Sequence, residues 1–309
     1  MAWESLALPA DFPATGPRLP CVSRAADFIE LLKPKIALTV GFTVAAGYLA
    51  AVATTSATFQ WKDLIFGVIG VTLVAFGSAV FNQAWEHRTD GEMARTAGRP
   101  IPTGRVSQAE AMLVGMLVAP LGLAILAPIC GVLCAVLTGL TCGLYAFCYT
   151  PLKRVSAWST FVGAIPGAMP PVLGASVVDR LPAAGWTLFV VLFLWQFPHF
   201  IAIAWKYREQ YAGAGLHMLP AGDEDGRKAG VLASVTGGLL VFACVPLWLL
   251  GLPVSAAAAA IAGIAYAAAA VVFNVDRSRR NSGRMLGLSF LYVPVVFGAV
   301  IAESVWRLV

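Results

Sequence analysis

Apolar runs long enough to cross a bilayer recur nine times along this chain, and that recurrence leaves it one fold class. The runs are Ile36–Ala53, Leu64–Ala84, Ala109–Ala127, Ile129–Tyr149, Trp158–Val178, Trp186–Trp205, Gly230–Leu250, Val254–Phe273 and Met285–Ala302. A stretch of roughly 17–25 apolar residues, wound as a helix, matches the hydrocarbon thickness of a membrane. Lipid offers no partner to a backbone N–H or C=O, so each run must satisfy its own as an α-helix. The sequence therefore predicts an all-α polytopic membrane protein, a bundle of nine transmembrane helices. Composition agrees. Of 309 residues, 59% are hydrophobic and only 12% charged, whereas about a quarter of a soluble domain is charged. The third and fourth runs are nearly continuous, and Pro128 and Gly131 predict a tight turn between antiparallel neighbours.

Charge then sorts the loops. Of the 21 Lys and Arg residues, only Lys62, Arg180 and Arg307 fall on one side of the predicted bundle. All the others fall on the opposite side, together with Glu86, Asp90, Glu92, Glu209, Asp223, Glu224, Asp225 and Asp276. Basic loops stay in the cytoplasm, so the N-terminus is expected inside and the C-terminus outside. The expected location is a bacterial cytoplasmic membrane, with the active site on its cytoplasmic face. The net charge of +5 follows this sidedness and gives no reason to expect nucleic acid.

Residues 1–22 are Pro-rich and lack the basic start and apolar core of a cleavable signal. They read as a flexible tail, leaving 23–309 as a single transmembrane domain. Ser23 to Lys33 spaces Phe28, Ile29, Leu31 and Leu32 as a short amphipathic helix. Five of the six cysteines lie in apolar runs without zinc-like pairing to histidine, and read as small buried hydrophobes.

Three constellations carry chemistry. The first is Asn82, Glu86 and Asp90, spaced four residues apart at the basic end of the second run. On an α-helix each lies about 6 Å further along and about 40° around from the last, forming one polar stripe. Two carboxylates and an amide are hard oxygen donors, and Mg²⁺ takes one or two carboxylates while sharing water and phosphate oxygens. Arg95, Arg99 and Arg105 follow directly, and guanidinium groups pair bidentately with phosphate. The competing reading is a charged helix end reaching for water beside topology-setting arginines. Asn82, deeper in the run, argues against it, because an idle amide there is costly.

The second constellation is Trp195-Gln-Phe-Pro-His-Phe200. Pro198 is expected to kink or break its helix. His199 is a haem-iron ligand, a polar contact to a substrate, or a hydrogen-bonded interior histidine. Glu209 stands ten residues on, either completing a second metal position opposite Asp90 or sitting as a solvated charge beside Arg208. The third is Tyr149-Thr-Pro-Leu-Lys153-Arg154, where Lys153 suits a phosphate, Tyr149 can donate to one, and Lys153 and Arg154 also serve as topology charges.

Asn82-x-x-x-Glu86-x-x-x-Asp90, followed by Met93-x-Arg95-Thr96-x-x-Arg99-Pro100, resembles the first Asp-rich motif of the UbiA superfamily of intramembrane prenyltransferases. Trp195-Gln-Phe-Pro-His-Phe200, with Tyr211-x-x-x-Gly215 and Met218-Leu219-Pro220, is similar to its haem-farnesylating members. Leu32-Lys33-Pro34-Lys35 and the Tyr149–Arg154 segment also fit. The resemblance implies transfer of farnesyl from farnesyl diphosphate to a vinyl group of haem B, with addition of water, giving haem O. It implies that Asn82, Glu86 and Asp90 bind Mg²⁺-diphosphate, with Glu209 as a further metal ligand. Arg95, Arg99 and Lys153, with Tyr149 and Arg154, would hold the diphosphate, and His199 would face the haem. Membrane lipid and a haem-modifying or terminal-oxidase assembly protein are the implied partners. Glu86 stands where many members carry Asp, and Gln210 where relatives commonly carry Asp, leaving Glu209 as the nearby acid. The same scaffold could prenylate an aromatic or quinone precursor. A transporter would instead place ionisable groups at mid-membrane in repeats, a pattern this chain lacks.

Overall fold

The computed structural model describes residues 23–178, 181–215, 223 and 225–309, and every regular element among them is helical. In chain order these are α1 (Arg24–Leu32), α2 (Pro34–Thr54), α3 (Trp61–Glu92), α4 (Gln108–Ile129) and α5 (Val132–Gly143). A π-helical turn, Leu144–Tyr149, continues α5 into α6 (Thr150–Leu152). Then come α7 (Ser159–Ala168), α8 (Pro170–Ala175), α9 (Ala183–Lys206), α10 (Arg208–Gly213), α11 (Arg227–Val241), α12 (Cys244–Leu249), α13 (Pro253–Val275) and α14 (Arg279–Leu308). The tail expected over 1–22 and the Met218-Leu219-Pro220 motif lie outside the described residues.

Eight helical segments among the described residues are long and apolar enough to cross a membrane. The run expected as one span over Trp158–Val178 is instead two short helices, α7 and α8, meeting at Met169. Pro170 and Pro171 have no N–H to continue α7, and a proline is well placed at the first turn of a new helix. The broken segment lies backbone to backbone on α2. A Cβ on Gly174 would sit 2.0 Å from the Val44 carbonyl oxygen, and one on Gly47 2.0 Å from that of Pro171. Glycine is what permits this approach, as it does between membrane helices generally.

Of the kink or break expected at Pro198, the break does not occur: α9 runs unbroken through it. Neighbouring groups hold the segment. Tyr266 Oη donates to the Trp195 carbonyl at 3.3 Å, and Gln196 Nε2 donates to the carbonyls of Leu192 and Ala164, each at 3.1 Å. The tight turn at Gly131 is present, with φ at +92° between α4 and α5. The largest buried cluster joins α9, α11, α13 and α14 through side chains such as Leu188, Ile201, Leu240, Tyr266, Phe273 and Phe297.

At the basic end, the amphipathic helix α1 is capped by Ser23 and buries Leu31 against Val80 and Ala84 of α3. Gln83 Nε2 donates to the Leu31 carbonyl at 2.6 Å, and Arg105 Nε lies 2.7 Å from the buried Asp27 carboxylate. Arg105 therefore secures α1 rather than joining the α3 stripe.

Candidate active site

Helix α3 extends well past its apolar run to Glu92, so Asn82, Glu86 and Asp90 do lie on continuous helix. Each is held by a group from elsewhere in the chain. Asn82 Nδ2 donates to Thr150 Oγ1 at 3.2 Å, and the Thr150 hydroxyl donates to the Tyr145 carbonyl at 2.9 Å. With its amide nitrogen committed, Asn82 presents Oδ1, which accepts from Lys33 Nζ at 3.3 Å. Glu86 Oε1 meets Lys153 Nζ at 2.8 Å, and Asp90 Oδ2 meets Arg99 Nη1 at 2.6 Å. Thr96 Oγ1 donates to the Asp90 carbonyl at 2.8 Å, fixing the loop that returns Arg99.

The cations arrive by distinct local devices. Lys33 ends α1 in the left-handed region, φ +49°, and Pro34 opens α2 immediately after. This sharp turn brings the Lys33 side chain to α3. The π-turn before α6 adds a residue to its helical turn, a device that often re-aims side chains at functional sites. It is followed by Lys153, whose Nζ lies 4.4 Å from the Tyr149 ring centroid as well as against Glu86. The Tyr149 ring fits because residue 163 is glycine: a Cβ there would lie 2.4 Å from the ring. Arg95 is stacked between Tyr207 and Tyr211, at 5.0 and 5.5 Å, and donates to Tyr211 Oη at 3.0 Å.

Charge is dense and partly dry here. Burial works to lower the pKa of Lys153, but the Glu86 carboxylate and the Tyr149 and Tyr145 hydroxyls overcome it and keep the lysine protonated. For Lys33, burial and the neighbouring Arg99 prevail over the pull of Glu86 and lower its pKa to about 7. An anion entering this cluster would restore the preference for the charged lysine.

One expected residue faces outward. The Glu209 side chain is 90% exposed and lies 3.8 Å from Arg208. Among the described residues no three His, Cys, Asp or Glu side chains gather at one point, and the ion pair Glu209 makes is with Arg208. Arg154 is solvent-exposed beyond Lys153. Conversely, Lys33 and Thr150 belong to the cluster without having been expected there as site residues; the Lys33-Pro34 step opening α2 and the Tyr149–Arg154 segment were their sequence signals.

His199 occupies a second location, on α9. Its ring stacks on Trp195 at 4.7 Å and meets Phe290 edge-on at 5.4 Å. Nδ1 lies 2.7 Å from Ser289 Oγ, and that hydroxyl donates to the Leu286 carbonyl at 2.6 Å. The serine proton being spent there, Nδ1–H is the donor to Ser289, and Nε2 keeps its lone pair. Nothing in the sequence of α14 distinguished Ser289.

The donors on α3 are all oxygens, three in number, and each already faces a cation. That set fits a Mg²⁺ ion completed by water and phosphate oxygens, and does not fit a closed zinc or copper cage. The UbiA prenyltransferase family model matches residues 40–304. The chain belongs to the UbiA prenyltransferase family. Among curated members, a protoheme IX farnesyltransferase from Opitutus terrae is 38% identical over 288 residues, covering 92% of this chain and 96% of its own. The UbiA fold is shared with a solved digeranylgeranylglyceryl phosphate synthase, with a TM-score of 0.75 at 16% identity over 92% of this chain and all of that one. A UbiA homologue from Archaeoglobus fulgidus, bound to GPP and Mg²⁺, has a TM-score of 0.61 at 17% identity, covering 89% of this chain and 99% of its own. This UbiA prenyltransferase thus carries its α3 acids and converging cations at one end of the family's helical bundle.

Proposed function

We propose that this chain transfers the farnesyl group of farnesyl diphosphate to a vinyl group of haem B, with addition of water, releasing haem O and diphosphate. The observation that carries the acceptor is the protoheme IX farnesyltransferase of 38% identity, matched over 96% of its length. The cluster on α3 supports the donor half. Lys33, Arg99 and Lys153 each pair with one of Asn82, Asp90 and Glu86, so a diphosphate can take the cations while the oxygens turn to metal.

Asn82, Glu86 and Asp90 would hold Mg²⁺, which supplies charge neutralisation at the departing diphosphate. Arg95, Arg99, Lys33 and Lys153 bind the diphosphate and stabilise negative charge as its C–O bond breaks. Tyr149 stays under Lys153 and keeps its ammonium aimed at the phosphates. The allylic carbocation bonds to the terminal vinyl carbon of haem, water adds to the other vinyl carbon, and a proton is released. The apolar bundle keeps water from the first cation. His199, with Nε2 free, faces the haem. We place this site on the cytoplasmic face of the membrane, where the basic loops lie.

The test is conversion by the purified chain of haem B, farnesyl diphosphate and Mg²⁺, read by mass of the extracted pigment. Haem O is the expected product. A different prenylated acceptor in place of haem O would sink the acceptor assignment. Full turnover by Asp90→Asn would remove the metal role.

A further inference from the structure

A groove of about 360 Å³ opens at the basic end of the seam between α9 and α14, and two of its lining residues, Tyr207 and Gln210, also touch Arg95 of the prenyl-transfer site. Lys206, Arg208, Arg277 and Arg279 line it, with Ser278 at the cap of α14. Three acids compete there. Asp225 is solvent-exposed, accepts from the Arg227 N–H at 3.0 Å and lies within electrostatic reach of Arg277. Glu209 lies loosely against Arg208 at 3.8 Å, and Asp276 is occupied by the Ser278 backbone N–H and by Asn281 Nδ2. Arg277 Nε is buried and has no hydrogen-bond partner among the described residues. A buried donor left without an acceptor is costly, and one at an anion-friendly groove marks a place for an acceptor from outside. The first N–H groups of a 30-residue helix point the same way.

The groove and the His199 location lie on the same packed α9–α14 seam. Trp195 Nε1 donates to the Ser289 carbonyl, Ser282 Oγ to that of Ala202, and Trp205 Nε1 to that of Arg277, all on the one α9–α14 seam. Seven residues of α9 separate His199 from Lys206, about 10 Å of helix. That span is comparable to the reach from a porphyrin's iron to its carboxylate arms. The groove is too polar for a macrocycle, while Trp195, His199 and Phe290 offer an aromatic seat higher in the seam.

We propose that this groove receives the propionate carboxylates of the porphyrin acceptor, with Arg277 and Arg279 as their partners and the macrocycle lying along the α9–α14 seam toward His199. The proposal rests on the haem reading above. It gives the acceptor one orientation, propionates at the basic end and vinyl groups deeper, at the level where a farnesyl cation would leave its diphosphate.

The experiment titrates haem B and its propionate dimethyl ester into the full chain in a nonionic detergent, following the haem absorption band, for wild type and for Arg277→Gln/Arg279→Gln. Wild type should bind the free acid roughly tenfold more tightly than the ester, the value of two solvent-edge charge pairs. The double variant should bind both with the ester's affinity. Retained ester binding shows that the variant is folded. An acid preference unchanged in the variant, or absent from wild type, overturns the proposal. So does a variant that loses only bound phosphatidylglycerol, which would make the groove a lipid seat. If wild type binds neither porphyrin and prenylates another acceptor, the haem reading itself fails, and this proposal with it.

Discussion

Glu86→Gln tests the coupling of acid and cation most directly. The change keeps the shape of the side chain and removes the charge that faces Lys153 Nζ at 2.8 Å. The two side chains are only 14% and 11% exposed, so water replaces little of what is lost. Breaking one side of a buried ion pair costs about 3–5 kcal/mol, and the Tyr149 ring beneath the ammonium places this loss near the lower figure. Lys153 does not escape by losing its proton easily, because the remaining tyrosines still favour the charged form. The variant should therefore unfold at a lower temperature than wild type in the same detergent. Inorganic diphosphate, without Mg²⁺, should then stabilise the variant more than wild type, because it supplies the anion Lys153 and Lys33 have lost. Turnover should fall by about 10²–10³, the usual cost of losing one electrostatic stabiliser. A variant as stable as wild type, or one stabilised equally by diphosphate, would refute the Glu86–Lys153 pair as what neutralises this buried lysine.

Four further outcomes are expected. Glu209→Gln should keep turnover within about twofold, since an exposed charge against Arg208 contributes little; a loss matching Asp90→Asn would return Glu209 to the metal site. Gly163→Ala places a Cβ 2.4 Å from the Tyr149 ring and should cost about 1–3 kcal/mol of stability through overpacking, with a raised KM for farnesyl diphosphate in steady-state assays. Ser289→Ala removes the acceptor that sets the His199 tautomer, and should weaken haem binding about 10-fold and shift its absorption band, with Ser289→Thr restoring both. The Lys33 pKa falls to about 7 in the folded chain from an ordinary 10.5. Between these values the unfolded chain binds the extra proton, so stability rises with pH across that window, falls as pH drops from 10.5 toward 7, and levels off below about 7. Melting curves from pH 7 to 9 should show this rise in wild type and a flatter profile in Lys33→Met.

Much of the site was legible along the chain. The four-residue spacing of Asn82, Glu86 and Asp90 implied one helical stripe, and α3 runs straight through it. Arg95, Arg99 and Lys153 were expected beside that stripe, and all three meet the cluster or its tyrosines. Prolines were harder to read. Pro170 and Pro171 divide an apolar run that looked like a single span, whereas Pro198 leaves α9 whole. Local sequence states only that a backbone hydrogen bond is missing; whether neighbours can carry the segment is decided by packing.

By itself, the sequence determined the class of fold and the side of the bundle where chemistry gathers. Both follow from forces that act on every residue in turn: lipid demands internally bonded helices, and basic residues stay on one side. Only the tertiary structure decided which charges meet. Lys153 reaches Glu86 across 67 residues of sequence, Lys33 reaches Asn82 across 49, and Glu209, next to the Gln210 that accepts from the Arg95 N–H, faces outward. A side chain's aim depends on the turn that precedes it and the helix it lands against. The positive φ at Lys33, the π-turn before Lys153 and the missing side chain at Gly163 are features of packed backbone, and no spacing rule contains them.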